Sequence, residues 1–193
     1  MKITACRNLL EAQLANTSSS APEMTPLGRA TGTVLEMVHA YKSDGDTFYK
    51  RGDSVNALAS YWYGFGWLHF GCSFGLLLFP RTDEHSCPFV GPCETLPQPF
   101  RAKLEEKTTR YAYLIDAARS SVASAPDAGT EIFECAERVL LITATYSSAG
   151  HRYLETGFLE DALACFSYGH GWLDAAVRAG LFRITAERDL FTV

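Results

Sequence analysis

Two groups of residues in this chain have the types and spacing to do chemistry. His170 and Asp174 stand four apart in the stretch ALACFSYGHGWLDAAV, so on a helix they share a face and can form a hydrogen-bonded acid/base pair. His151, one helical segment earlier, is a further ionisable group for the same ligand-binding site. The second group is His85, Cys87 and Cys93, with Glu94 or Cys72 as a fourth donor. Thiolate and imidazole together suit zinc, which makes this segment the candidate metal site. Each group also has a plainer reading. A His–carboxylate spacing is common on helix surfaces, and the cysteines lack a paired CxxC and fit a proline-ordered loop with free thiols, or a disulfide when oxidised. There is no nucleophile motif, no phosphate-cradling glycine loop before a helix and no HExxH.

The elements that must position these residues come in two copies. Residues 57–68, ALASYWYGFGWL, return as residues 162–173, ALACFSYGHGWL, at an offset of 105. Along that offset residues 52–76 match 157–181 at eleven of 25 positions without a gap, which marks an internal duplication. The register runs on upstream. Val34, Leu35, Tyr41, Ser43 and Gly45 recur as Val139, Leu140, Tyr146, Ser148 and Gly150, and Lys2, Thr4, Leu9 and Ala12 recur as Lys107, Thr109, Leu114 and Ala117.

Each copy reads as three helices. Ile3, Leu10 and Leu14 lie on one stripe, which predicts a helix over 2–16. A second helix is predicted from about residue 29 to 50, with Val34, Met37, Val38 and Tyr41 inward and Gly45 as a kink. After the Gly52-Asp53 turn a third runs from 54 to 74 and ends on Gly75. Residues 79–99 contain five prolines and break the pattern. The fourth helix starts near Pro99, and the fifth and sixth, about 130–156 and 158–179, repeat the second and third. The expected organisation is therefore a unit at 1–78, a linker at 79–99, a second unit at 100–182 and a tail at 183–193, with Leu190 and Phe191 of the tail available to pack. Gly64, Gly66 and Gly71 each cost a helix interior about 1 kcal/mol relative to alanine, so close approach of another helix must compensate. The aromatic stripe of Tyr61, Tyr63, Trp67, Tyr168 and Trp172 is read as core or interface rather than as a base-stacking platform, which needs open ring faces.

A chain of 193 residues with 47% hydrophobic content can bury a real core. Its net charge of −5 argues against nonspecific nucleic-acid binding, and Lys103, Lys107 and Arg110 are interleaved with Glu105 and Glu106 as a self-neutralising face. The first residues show no secretory pattern, so the cysteines are expected as thiols in a cytoplasmic protein. Residues 54–79 carry no charge and are long enough to suggest a membrane span. Their counterpart at 159–184 carries Glu160, Asp161, Asp174, Arg178 and Arg183, so the uncharged copy is read as a buried helix and no membrane partner is expected.

The phrase from Tyr153 through GFLEDALACFSYGHGWLDAAVRAGLF to Phe182 resembles the archaeal domain-of-unknown-function 357 family. The resemblance implies a small three-helix unit whose last two helices form a hairpin around a glycine turn. It is closer in the second copy than in the first, where His69 and Ser73 stand in place of Asp174 and Arg178. It implies no activity, cofactor or catalytic residue.

The fold expected is all-α: two tandem three-helix units forming a pseudo-twofold helical bundle, packed through their glycine-notched third helices. What recurs between the copies is mainly apolar, glycine or aromatic, whereas ionisable residues other than the Lys2/Lys107 pair diverge; two equivalent catalytic sites would have kept theirs. The expected function is a noncatalytic scaffold with a groove for an unknown protein or peptide, without a resident cofactor. The alternative is a single-site enzyme or ligand- or metal-binding protein using His170 and Asp174 with His151, or His85, Cys87 and Cys93. Oligomeric state is left open.

Overall fold

The computed structural model describes residues 1–78 and 92–192. Each half begins with a helix, α1 (Ile3–Ala15) or α4 (Arg101–Ser120), continues through a long one, α2 (Pro26–Lys50) or α5 (Glu131–Thr156), and ends in α3 (Ser54–Ser73) or α6 (Leu159–Arg178). The architecture is thus the all-α bundle of two three-helix units. Thr25 and Thr130, at equivalent positions, start α2 and α5 alike: each hydroxyl accepts from the amide three residues on, Gly28 or Phe133, which satisfies a donor the helix cannot pair. With Thr25 as cap and Pro26 in the first turn, α2 begins at Pro26, ahead of the position expected from its apolar stripe. Gly157 ends α5 with φ 80°, a conformation that favours glycine, and this reverses the chain into α6.

Short strands escaped the sequence reading. β1 (Ser18–Ser19) pairs antiparallel with β2 (Leu77–Leu78), and β3 (Val122–Ser124) with β4 (Phe182–Ile184). Each ties the segment after a unit's first helix to the segment after its last. They are too brief to show an alternating pattern.

At the centre α3 packs on α6, with α1 and α2 flanking the former and α4 and α5 the latter. Glycines set these approaches. A Cβ on Gly66 would lie 2.5 Å from the Tyr168 carbonyl oxygen, and one on Gly171 would lie 2.5 Å from that of Tyr63. Gly66 and Gly171 are equivalent residues, as are Tyr63 and Tyr168, so the crossing repeats itself under a pseudo-twofold axis. Within the units, Gly45 leaves room for the Tyr61 ring and Gly150 for that of Phe166, at 2.5 and 2.4 Å from the missing Cβ. Gly45 is therefore a packing notch within a continuous helix. Beside the notches Trp67, Phe65 and Phe166 are fully enclosed. Enclosing a side chain of that size contributes about 2–3 kcal/mol, more than a helix-interior glycine loses.

The stretch before α4 acts as a clasp. Glu160 and Asp161, in the first turn of α6 and buried, accept the backbone amides of Leu96 (2.7 Å) and Cys93 (2.8 Å). Glu94 in turn accepts the amide of Ile3 at 2.8 Å and so caps α1. Among the described residues no helix is long and apolar enough to cross a membrane.

Candidate functional site

His170 and Asp174 fall on the face of α6 that meets α3 and the C-terminal tail. Both are buried, Asp174 completely. The helical spacing does bring them to one face, but among the described residues no hydrogen bond joins them. Asp174 instead accepts from three donors: the Tyr63 hydroxyl of the other unit (2.9 Å), the Thr192 amide (2.9 Å) and the Thr192 hydroxyl (2.8 Å). His170 Nε2 lies 3.0 Å from the Leu190 carbonyl oxygen, to which it must be the donor. Burial lowers the His170 pKa, with the Asp174 charge and the Leu190 carbonyl opposing. Burial, reinforced by Asp174, raises the Tyr63 phenol well above its ordinary value, so it stays a neutral donor.

The equivalent place in the first unit repeats the geometry with other chemistry. His69 stands where Asp174 stands, and the Tyr168 hydroxyl reaches it at 2.9 Å, just as Tyr63 reaches Asp174. The other ring nitrogen of His69 lies 3.0 Å from Gln13 Oε1. An amide oxygen only accepts, so Nε2 carries the proton and Nδ1 accepts from Tyr168. Burial alone pushes the His69 pKa down to about 4. Each unit thus sends a tyrosine across the axis to the other unit's third helix.

His151 belongs elsewhere. It donates to Asp116 of α4 at 2.8 Å beside Ser147, which donates to the other carboxyl oxygen at 2.7 Å, and its ring meets that of Phe166. No hydrogen bond or ring contact among the described residues links it to His170 or Asp174. That cluster is half-exposed and polar.

Of the candidate metal ligands, His85 and Cys87 lie outside the described residues. Cys93 is half-buried on the clasp, and burial together with Asp161 raises its thiol pKa, which favours the protonated thiol over the thiolate a metal needs. Glu94 is occupied with the Ile3 amide. Among the described residues no group of three or more His, Cys, Asp or Glu could hold a metal ion.

The sequence reading missed the partners. Tyr63 is expected as core or interface, and it lies at the interface, but its bond to Asp174 is not in the sequence pattern, nor is the link from Leu190 and Thr192 to α6. The signal available was a mismatch: Gln13 of α1, which bonds to His69, becomes Ala118 of α4, while His69 becomes Asp174. A cavity between Phe70, Arg138 and Trp172 has a volume of about 30 Å³, and its pseudo-symmetric counterpart between Val34, Ala175 and Arg178 about 40 Å³, room for a single water each. A shallow open depression of about 280 Å³ lies between Arg152, Tyr153 and Phe158.

A family model matches this chain twice, over residues 7–77 and 110–182. No curated protein and no solved structure matches it. The two matches together cover most of the chain and coincide with the two glycine-notched units: the protein belongs to the family described as protein of unknown function (DUF357) and carries that family's unit twice.

Proposed function

We propose that the protein is a noncatalytic scaffold that holds a protein or peptide segment in a groove of its second unit. The observation that carries this reading is the seating of the tail. The two groups whose spacing suits acid–base work, His170 and Asp174, are engaged by the carbonyl of Leu190 and the amide and hydroxyl of Thr192. Contacts to a carbonyl at one residue and an amide two residues on are how a surface grips extended polypeptide, whatever its sequence. A general acid or base, by contrast, needs a free path to a substrate proton, and these two have none while the tail is in place. We further place the protein in a reducing compartment, which suits Cys6, Cys72, Cys93, Cys135 and Cys165, all free thiols.

The test is selection of a random peptide library on the full chain carrying Phe191→Ala and Thr192→Ala, which loosens the tail without shortening it. Enrichment of peptides that protect the amides of α6 from hydrogen exchange supports the reading. A folded variant that enriches none overturns it.

A further inference from the structure

Three differences between the units change the chemistry at equivalent places. Where the first unit has Gln13, Phe65 and His69, the second has Ala118, His170 and Asp174. In the first unit Gln13 is buried and bonds to His69, and Phe65 is fully enclosed. In the second, Ala118 is too short to reach residue 174, and a polar donor and a polar acceptor replace the apolar ring and the imidazole. The tail lies there. Phe191 is extended (φ −124°, ψ 149°), buried to 7% exposure, and packs its ring 6.5 Å from that of His170. Arg178 reaches the Thr192 carbonyl at 3.4 Å. The segment enters through Glu187, the one described non-glycine residue with a positive φ (43°), a conformation that is sterically unfavourable for such a residue.

Resting on the proposed function, we infer that the slot between Ala118, His170 and Asp174 is the binding site, that the tail is its in-chain occupant, and that the partner presents an extended segment reading aliphatic, aromatic, then threonine or serine. The backbone contacts at Leu190 and Thr192 are available to any sequence and give grip. Choice comes from two side chains. An aromatic ring fills the place of Phe191, and a hydroxyl supplies the third donor to the buried Asp174 carboxyl, beside the Tyr63 hydroxyl on the same oxygen. The tail competes within its own chain, so a partner binds by displacing it, and loosening the tail strengthens partner binding.

The experiment titrates a fluorescent peptide of residues 187–193, ERDLFTV, with the full chain in three forms: wild type, Phe191→Ala with Thr192→Ala, and that double variant with Ala118→Gln added. The loosened form is expected to bind at least about tenfold more tightly than wild type. Ala118→Gln restores the first unit's filler and is expected to abolish binding while keeping helix content, since the same residue is accommodated at position 13. A peptide with alanine for its phenylalanine is expected to bind at least about tenfold more weakly. Should Ala118→Gln unfold the chain, His170→Phe, the first unit's residue at that place, serves instead. Should the double variant unfold, Thr192→Ala alone carries the comparison, with a smaller gain of about threefold. Equal affinity for wild type and loosened chain, or binding indifferent to the residue at 118 or 170, overturns the inference. If the loosened chain rejects this peptide yet enriches library peptides of other chemistry, the inference fails and the proposed function stands. If it enriches none, both fail.

Discussion

Around Asp46 the first unit gathers Arg7 at 2.8 Å, Lys42 at 3.0 Å and the Tyr61 hydroxyl at 2.8 Å. At the position of Asp46 the second unit carries His151, and at the position of Glu11 it carries Asp116, so the carboxyl has moved from the second helix to the first. Lys42 has become Ser147, Arg7 has become Ala112, and Tyr61 has become Phe166. The last change explains the others. A tyrosine ring laid on Gly45 needs an acceptor for its hydroxyl, and Asp46 supplies one; a phenylalanine ring laid on Gly150 needs none, which frees the neighbouring residues to change. What holds the units in register is the match of glycine to ring. The polar networks at their edges follow from which ring is used.

That comparison can be broken first at the axis. Gly66→Val and Gly171→Val each push a side chain into the backbone of the facing helix, and each is expected to destabilise by more than about 3 kcal/mol, by equal amounts within error, in urea unfolding. A large difference between the two would mean that the crossing is not shared evenly. Acidification tests the crossed tyrosine bonds next. His69 is held neutral with a pKa of about 4 in the fold, while an exposed histidine titrates near 6.5. The folded value is the lower one, so the unfolded chain takes up the proton first. Stability is full above pH 6.5 and falls as pH drops towards 4, by as much as roughly 3 kcal/mol from this residue. His69→Gln is expected to flatten that part of the stability–pH curve; an unchanged curve would show that His69 is not held neutral.

Smaller effects sharpen the contrast between the polar edges. Asp46 is mostly covered, and it holds the enclosed Tyr61 hydroxyl and two cations, so Asp46→Ala is expected to cost about 2 kcal/mol. Its acidic pKa is lowered in the fold, despite burial, by bonds from Lys42, Tyr61 and Arg7, so this contribution also fades as pH falls through the carboxyl range. Asp116→Ala, at a half-exposed site, is expected to cost under about 1 kcal/mol. Comparable losses in a urea titration of the two variants would count against the role given to the Tyr61 hydroxyl. A small change is also expected at a pair of equivalent small residues, Gly71 and Ala176. Ala176→Gly should lose about 1 kcal/mol of helix preference, whereas Gly71→Ala gains a similar amount but must move the tips of Leu77 and Val34, and should come out within about 1 kcal/mol of zero.

Several of these features were open to reading before any coordinates. The repeated Gly-x-Gly-Trp phrase announced two units and a close helix crossing, and Gly66 and Gly171 meet as that phrase required. The spacing of His170 and Asp174 placed them on one face, and they are there. Their partners were out of reach because Tyr63 lies 111 positions from Asp174 and Thr192 lies 18 from it, and neither separation has a periodicity that a helical pattern exposes. The clasp from Cys93 to Leu96 onto Glu160 and Asp161 was hidden for a similar reason: two acids in a helix's first turn read as solvent-facing residues favoured by the helix dipole, whereas here they accept buried amides.

Duplication, helix boundaries to within a turn and the buried stripe follow from residue order, because they rest on contacts between near neighbours and on a repeat that can be counted. Which polar atoms meet across the axis was decided only by the tertiary structure. The close crossing at Gly66 and Gly171 carries a tyrosine of each unit to the third helix of the other, and the chain beyond α6 returns to lay Thr192 beside Asp174. A buried polar group takes whichever partner the packing brings within hydrogen-bond reach, and that choice is made in space rather than along the chain.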